Sequence, residues 1–230
     1  MSDFKKQAAE RAFPYLKDCR MVGLGAGSTI SHLVDIIKEQ GRDLPMLFLT
    51  SSYQTFELLR KSDLIVIPIN AVSSTDIYID GCDQVDKDLN ALKSGGGIHT
   101  REKILAKMAR EFILIGDENK WVERFDGKYP VVLDVIPEAF KSVSERVRML
   151  YPQSRLELRF GKEKEGPVIT ENGNYLLEVW FHEWPILSEL QATLKSLTGV
   201  IETSLFDNLA HRAILAGNSG TRVIERPLKK

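Results

Sequence analysis

Apolar positions along the chain follow two alternating patterns. Short apolar runs typical of buried strands occur at 21–24, 46–49, 64–67, 77–79 and 112–115. Segments with apolar residues at helical spacing lie between these runs, at 3–17, from residue 30 to Gly41, around Phe56 and Leu59, and at 100–110. Strands that alternate with helices predict right-handed crossovers and a doubly wound, mostly parallel, Rossmann-like α/β sheet.

The pattern changes near residue 131. Apolar runs predict strands at 131–135, 156–160, 168–170, 175–180 and 200–203, with helices at 138–150 and 185–196. This order favours a smaller α+β unit of the ferredoxin-like kind. Two last runs, 212–215 and 221–224, are expected to rejoin the first sheet. We therefore expect a Rossmann-like catalytic domain formed by 1–130 and 206–230, and a ferredoxin-like domain formed by 131–205.

Composition narrows the class of protein. The chain has 230 residues, 43% of them hydrophobic, and a net charge of −1, so it has no general attraction for nucleic acid or anionic membranes. Cys19 and Cys82 lie far apart, which is typical of a reducing compartment. No apolar run approaches the roughly 20 residues that span a bilayer, and the N-terminus has no signal-peptide pattern. We expect a soluble, cytoplasmic protein.

The glycines after the first strand suggest a dinucleotide site, but the fingerprint fails. Counted from Gly23 it requires Gly or Ala at position 28, which is Ser28, and counted from Gly25 it requires Gly or Ala at position 30, which is Ile30. The acid expected after the second strand is also missing, because 50–52 are Thr, Ser and Ser. No Walker motif is present either.

Two interpretations of this loop remain. Glycines allow a tight turn, and Ser28 and Thr29 stand at the start of a predicted helix, where N–H groups and the helix dipole favour a phosphate. Alternatively, Ser28 is only the N-cap of that helix. The loops at 25–29, 50–52 and 80–97 all follow strands, so they are expected at one rim of the sheet.

The segment from Asp80 to Glu102 concentrates reactive groups. It contains Asp80 and Asp83, then Lys93 before a glycine run, then Glu102 in the first turn of a predicted helix. A carboxylate base beside a fixed cation suits proton abstraction next to a carbonyl. Taken singly, each group has a structural alternative: Asp-Gly marks turns, an isolated lysine is usually solvated, and an acid favours a helix start.

A metal site is the competing chemistry for this segment. Asp80, Asp83, Asp86 and Asp88 are hard ligands, but their spacing does not fit an EF-hand loop. The four histidines are dispersed, so a histidine metal cluster is not indicated; they are His32, His99, His182 and His211.

Together these motifs resemble the type A ribose-5-phosphate isomerases. The resemblance rests on the order of 25–29 (Gly-Ala-Gly-Ser-Thr), 80–83 (Asp-Gly-Cys-Asp), 93–97 (Lys-Ser-Gly-Gly-Gly) and 101–103 (Arg-Glu-Lys). The segments 117–120, 135–137, 170–174 and 197–200 also fit, so the likeness covers nearly the whole chain. The resemblance implies interconversion of ribose 5-phosphate and ribulose 5-phosphate, in the non-oxidative pentose phosphate pathway, without a metal or organic cofactor.

Site residues follow from the resemblance. It makes Glu102 the base that moves a proton between C1 and C2 through an enediolate, and Lys93 the group that stabilises the oxyanion. Asp80 and Asp83 would hold sugar hydroxyls and assist ring opening. The substrate-binding residues that it implies are Gly25, Ala26, Gly27, Ser28, Thr29, Gly81, Cys82, Ser94, Gly95, Gly96 and Lys120. Lys6 is a further candidate for the phosphate, and a homodimer or homotetramer is implied.

The resemblance is imperfect near the site. The family usually has threonine at Ala26, glutamate at Gln84, glycine at Ser94, and small or apolar residues at Ile98 and His99. Two hypotheses therefore stand: an active isomerase, and a divergent protein that binds or senses a sugar phosphate. We expect no helix-turn-helix domain before the chain, which argues against a repressor but not against a silent sensor. Cys82 is expected to be an inert side chain beside the site.

Overall fold

The computed structural model describes residues 3–41, 43–162 and 165–226. In chain order its α-helices and strands are α1 (Phe4–Ala12), β1 (Met21–Leu24), α2 (Ser28–Gln40), β2 (Leu47–Thr50), α3 (Tyr53–Lys61), β3 (Thr75–Asp80), β4 (Gln84–Val85), β5 (Ala91–Leu92), α4 (His99–Met108), β6 (Ala109–Asp117), β7 (Val131–Val135), α5 (Phe140–Leu150), β8 (Arg155–Leu158), β9 (Tyr175–Trp180), α6 (Leu187–Lys195), β10 (Val200–Thr203), β11 (Leu205–Phe206), β12 (Arg212–Gly217) and β13 (Gly220–Glu225).

A six-stranded sheet forms the larger unit, in the order β2-β1-β3-β6-β12-β13. Neighbouring strands are parallel except β12 and β13, which form an antiparallel hairpin at one edge. The predicted doubly wound, mostly parallel sheet is therefore confirmed. The chain passes from β1 outwards to β2 and then returns to β3 on the other side of β1, so the strand order reverses there. Ligand crevices form at such a reversal, beyond the carboxyl ends of the strands.

Apolar side chains cover both faces of this sheet. Helices α1 and α2 pack on one face, where fully buried residues include Leu16, Leu33 and Ile79. The opposite face buries Tyr78, Phe112 and other apolar side chains. Strands buried on both faces have near-continuous apolar sequences, which explains why short runs located most of them.

The expected strand at 64–67 is wrong. Only one bridge forms there, between Phe48 and Val66, with Phe48 exchanging hydrogen bonds with Ile65 and Ile67. The segment lies at the open edge of β2, and Ile65 keeps 63% of its surface exposed. An apolar run alone therefore did not make a full strand, because no further strand of the described ranges covers this edge.

The second unit is a four-stranded antiparallel sheet in the order β10-β7-β9-β8, with α5 and α6 between its strands in sequence. This is the expected ferredoxin-like arrangement. The expected strand at 168–170 is wrong, because only isolated bridges form there, between Phe160 and Pro167 and between Ile169 and Tyr175. Removing it leaves the β-α-β-β-α-β order intact.

A third sheet was not foreseen from the sequence. Strands β4, β5 and β11 pair antiparallel in the order β11-β5-β4, with Leu92 opposite both Gln84 and Leu205. This small sheet fixes the segment between Asp83 and Lys93. The expected domain boundary at 205/206 falls within β11, and the division into 1–130 plus 206–230 and 131–205 stays a prediction.

No helix in the described ranges is both long enough and apolar enough to cross a membrane.

Candidate active site

A cleft of about 370 Å³ opens at the carboxyl ends of β1, β3 and β6. Three sequence-distant segments form most of it: the start of α2, the stretch from Gly81 to Glu102, and the end of β6 with the turn that follows. The predicted site residues that line it are Ala26, Gly27, Ser28, Thr29, Gly81, Cys82, Asp83, Lys93, Gly95, Gly96, Glu102 and Lys120. Gly25, Asp80 and Ser94 are not among its lining residues.

The loop after β1 presents backbone N–H groups to the cleft. Gly27 is the N-cap of α2, with φ at 97°, a left-handed conformation that favours glycine. No side chain in the described part of the chain caps the helix, so the first N–H groups of α2 remain available to an anion. The alternative role of Ser28 as N-cap is wrong, because Ser28 is already the first helical residue.

Lys5, in α1, places a positive charge beside this loop. Its Nζ donates to Ser28 Oγ at 2.9 Å, and its side chain lines the cleft. Lys6, the lysine that the sequence suggested, lies instead beside Asp35 and Glu39 on the outer side of α2. Adjacent helical residues point about 100° apart, so only one of the two can face the cleft.

Asp80 lies behind the cleft wall and is fully buried. Its Oδ1 accepts from the N–H groups of Gly81 at 2.7 Å and Ala26 at 3.1 Å. Its Oδ2 accepts from Tyr78 Oη at 2.5 Å and lies 2.8 Å from Lys93 Nζ. Gly25 makes room for this carboxylate, because a Cβ there would lie 1.8 Å from Asp80 Cγ. Four donors therefore hold Asp80, and neither oxygen is free to point at a ligand.

Lys93 and Glu102 form the reactive part of the cleft. Lys93 Nζ donates to the Gly81 carbonyl at 2.6 Å and lies 3.3 Å from Glu102 Oε1. Burial lowers the pKa of Lys93, but the carboxylates of Asp80 and Glu102 outweigh it, so the net shift is upward. Burial raises the pKa of Glu102 to about 8 against the opposing charge of Lys93, and Asp80 adds to the rise. A cation therefore lies beside an unusually basic carboxylate.

Asp83 organises the glycine run. Its Oδ2 accepts from the N–H groups of Ser94 at 2.6 Å and Gly95 at 3.0 Å. Its Oδ1 accepts no hydrogen bond from the described residues, and Asp83 lines the cleft. One oxygen therefore shapes the loop while the other remains available to a polar ligand.

Ser94 faces away from the cleft. Its Oγ donates to the Pro130 carbonyl at 2.5 Å, and its own carbonyl accepts from Arg159 Nη2 at 2.7 Å. Arg159 is held in turn by Glu178 at 2.6 Å. The serine thus ties the glycine run to the smaller unit, and its departure from the family pattern adds no group to the cleft.

Two other departures also lie outside the cleft. Gln84 is buried and donates to Asp126 Oδ1 at 2.6 Å. His99 is fully buried beside the Glu202 carbonyl, at 3.4 Å from its Nε2. Burial, aided by the charge of Lys103, lowers the pKa of His99 to about 3, so the ring is neutral. Only Ala26 and Ile98, of the five departures, line the cleft.

Cys82 lines the cleft as a protonated thiol. Burial raises its pKa to about 12, which keeps the reactive thiolate scarce at neutral pH. In the ranges that the structure describes, no three His, Cys, Asp or Glu side chains gather as a metal ion would require. The Asp86 carboxylate accepts from the N–H groups of Asp88 and Asn90, so it shapes a turn.

The sequence missed several cleft residues. Gln54 lies in α3, and Asp117 lies at the end of β6; both line the cleft together with Lys5. The strand-end rule could have indicated Asp117, since it follows a predicted parallel strand. Nothing local distinguishes Lys5 from Lys6, or marks Gln54, because their placement depends on how their helices pack.

A family model and curated relatives indicate one family. The family described as ribose 5-phosphate isomerase A (phosphoriboisomerase A) matches residues 47–220. The ribose-5-phosphate isomerase A of Pyrococcus horikoshii is 33% identical over 229 residues, covering 98% of this chain and 99% of that protein. The ribose-5-phosphate isomerase A of Methanothermobacter thermautotrophicus is 34% identical over 224 residues, covering 96% of this chain and 97% of that protein.

A solved structure has nearly the same fold. It is a D-ribose-5-phosphate isomerase in complex with phospho-erythronic acid, with a TM-score of 0.92 and 33% sequence identity. The match covers 98% of this chain and 100% of that chain. Both units of the fold are therefore included in the likeness.

Proposed function

Because the chain belongs to the ribose 5-phosphate isomerase A family, we propose that it interconverts ribose 5-phosphate and ribulose 5-phosphate, with Glu102 as the base. The observation that carries this proposal is the contact between the buried Glu102 carboxylate and Lys93 Nζ, at 3.3 Å, inside the cleft that also holds the start of α2. Base, cation and anion-binding backbone thus line one cleft.

The phosphate of the sugar binds at the start of α2. The uncapped N–H groups behind Gly27 and the hydroxyls of Ser28 and Thr29 supply donors, and the helix dipole favours a negative charge. Lys5 and Lys120 line the same cleft and add positive charge. This end of the cleft supplies binding energy that positions the reacting carbons near Glu102.

Glu102 removes a proton from C2 of the open-chain aldose and returns it to C1, while the proton of the C2 hydroxyl passes to the oxygen on C1. Both positions share one face of the planar enediolate intermediate, so a single carboxylate performs both transfers. The upward shift of its pKa to about 8 matches its basicity to a neutral medium, where proton transfer is most effective. The same burial excludes water from the intermediate.

Lys93 stabilises the charge that develops on the enediolate oxygen. Its Nζ lies 2.8 Å from Asp80 Oδ2, 2.6 Å from the Gly81 carbonyl oxygen and 3.3 Å from Glu102 Oε1. The Glu102 contact is the longest of the three, and it weakens further once Glu102 has taken the proton. The N–H group released in this way donates to the new oxyanion.

Asp83 holds sugar hydroxyls and assists ring opening with Oδ1, the oxygen that does not bind the glycine run. Asp80 keeps Lys93 charged and in place. Gly81, Cys82, Gly95 and Gly96 form the walls against which the substrate lies. The proposed mechanism uses no metal ion or organic cofactor.

The direct test is turnover by the chelator-treated protein. The protein is incubated with ribose 5-phosphate, and the formation of ribulose 5-phosphate is followed beside a Glu102→Gln variant. We expect rapid conversion by the natural chain only. Sugar-phosphate binding without conversion would instead identify the divergent sensing protein, an alternative that the comparisons do not favour.

The proposal extends to assembly and compartment. A homodimer or homotetramer is supported by exposed apolar side chains on the smaller unit, where Phe160 is 61% and Ile169 is 45% exposed. Sedimentation velocity tests this, and a monomer across the working concentration range would contradict it. A cytoplasmic location is supported by the free thiols of Cys19 and Cys82.

A further inference from the structure

Glycines of the β1 segment lie opposite large side chains of the adjacent strand β3. Gly23 and Gly25 lie two residues apart on and just after β1, and Tyr78 and Asp80 lie two residues apart on the adjacent β3. Gly23 is the register partner of Tyr78. A Cβ on Gly23 would lie 2.8 Å from Tyr78 Cδ2, and one on Gly25 would lie 1.8 Å from Asp80 Cγ. The glycine pair thus makes room for the tyrosine and the aspartate.

Tyr78 is a fully buried residue with one polar atom to satisfy. Its ring stacks on Phe112, with centroids 5.1 Å apart, and its Oη donates to Asp80 Oδ2 at 2.5 Å. Burial and the charges of Asp80 and Glu102 raise the pKa of Tyr78 well above its usual value, so the phenol stays protonated and remains a donor.

The Tyr78 phenol and the Lys93 ammonium group share one acceptor, the Asp80 carboxylate. Asp80 Oδ2 accepts from Tyr78 and also lies 2.8 Å from Lys93 Nζ. Because the carboxylate distributes its charge between these two donors, the phenol hydrogen bond sets how strongly Asp80 holds the ammonium. A carboxylate without the phenol would bind Lys93 more tightly and release less of its charge to the substrate.

We propose that Tyr78 is a positioning residue for the isomerisation: it fixes the Asp80 carboxylate and limits its hold on Lys93, leaving Lys93 able to engage the enediolate oxygen. Tyr78 acts through Asp80 and does not line the cleft. This inference rests on the proposed function. It also explains the two glycines without a dinucleotide site, because Gly23 and Gly25 make room for Tyr78 and Asp80.

Several titratable groups surround this cluster. Lys93 and Glu102 contact it directly, and Cys82 adjoins Lys93. Asp83 and Lys120 line the same cleft. Loss of the phenol donor concentrates negative charge on Asp80, which disfavours ionised Glu102. The pKa of Glu102 should then rise.

The test compares Tyr78→Phe with the natural chain. Phenylalanine keeps the ring and its contact with Phe112 and removes only the donor. We expect kcat to fall roughly tenfold with little change in KM, as for the loss of a hydrogen bond to a charged group. We also expect the acid limb of the kcat/KM profile to move to higher pH. Phe112→Leu is the control: it alters packing around Tyr78 but should leave that limb in place.

An NMR titration gives a readout that does not depend on turnover. Carbon-13 labelled glutamate, assigned with Glu102→Gln, reports the titration of Glu102 in both proteins. The midpoint should be higher in Tyr78→Phe. If ribose 5-phosphate is not converted by the natural chain, the proposed function fails, while this titration still tests the role of Tyr78.

Two outcomes would overturn the inference. One is a Tyr78→Phe protein whose rate and Glu102 titration match those of the natural chain. The other is a rate loss with an unmoved titration, which would indicate a packing effect. If Tyr78→Phe does not fold, 3-fluorotyrosine at position 78 replaces it. Its more acidic phenol is a stronger donor, so the acid limb should move to lower pH, and an unmoved limb would equally overturn the inference.

Discussion

The ammonium nitrogen of Lys93 lies 3.3 Å from Oε1 of Glu102, and both side chains are almost fully buried. The pair places a fixed positive charge beside the proposed base in a region largely closed to water. Lys93 stabilises the carboxylate before the reaction, and it can stabilise the enediolate after Glu102 has taken the proton. The same cation can therefore stabilise the negative charge both before and after the proton transfer.

The raised pKa of Glu102 determines the pH dependence. The base must be ionised to accept a proton, so activity is present above its pKa and is lost as the pH falls through it. Burial raises this pKa to about 8, well above the ordinary value of 4.5. We expect kcat/KM to rise with pH and level off above about 8. A profile already flat from pH 5 upwards would contradict this.

Lys5 and Lys6 form a matched pair for testing the phosphate site. Lys5 donates to Ser28 Oγ at 2.9 Å, whereas Lys6 lies on the outer side of α2. We expect Lys5→Gln to raise KM about tenfold with a small effect on kcat, because it removes a charged donor to the phosphate. Ser28→Ala should also act mainly on KM.

Lys6→Gln is the control for that measurement, since it removes the same charge from the same helix. It should leave KM unchanged when both variants are assayed with ribose 5-phosphate at one ionic strength. Equal effects of the two lysine substitutions would indicate a general charge effect and would count against a specific contact by Lys5.

Gln84 allows a test of the departures from the family pattern. Its Nε2 donates to Asp126 Oδ1 at 2.6 Å, and Gln84 does not line the cleft. Gln84→Glu would bring two carboxylates together, so we expect the free energy of unfolding to fall by about 1–3 kcal/mol. Chemical denaturation measures this change.

The kinetic parameters of Gln84→Glu should remain close to those of the natural chain under conditions where the variant is folded. Adding Asp126→Asn should restore most of the lost stability, because the amide can donate to the new carboxylate. A large gain in kcat from Gln84→Glu alone would instead show that this position limits turnover.

The sequence predicted the parts of the fold that depend on local pattern. Runs such as 21–24 and 112–115 gave β1 and β6 because strands buried on both faces are continuously apolar. The third sheet was missed, since β5 has two residues and pairs with β11 more than a hundred positions away. Pairing at that range leaves no periodic signal in the chain.

Of the candidate site, too, the sequence predicted the features that depend on local pattern and missed those that depend on packing. The strand-end rule placed the loops 25–29, 50–52 and 80–97 at one rim, and Ser28 and Asp83 of the first and third loops line one cleft, whereas 50–52 does not line it. The rule could not show that Asp80 is enclosed by four donors, or that Lys5 rather than Lys6 faces the phosphate loop. Those details depend on side-chain direction and helix packing, which the sequence does not specify by itself.

The central claim is that Glu102 carries the proton. The most direct measurement compares kcat of Glu102→Gln with that of the natural chain, together with the Kd for a non-reacting sugar phosphate. Glutamine keeps the shape and burial of the side chain but cannot accept the proton. We expect kcat to fall about a thousandfold while Kd changes by less than about threefold. A variant that keeps a tenth or more of the natural kcat would contradict the assignment of Glu102 as the base.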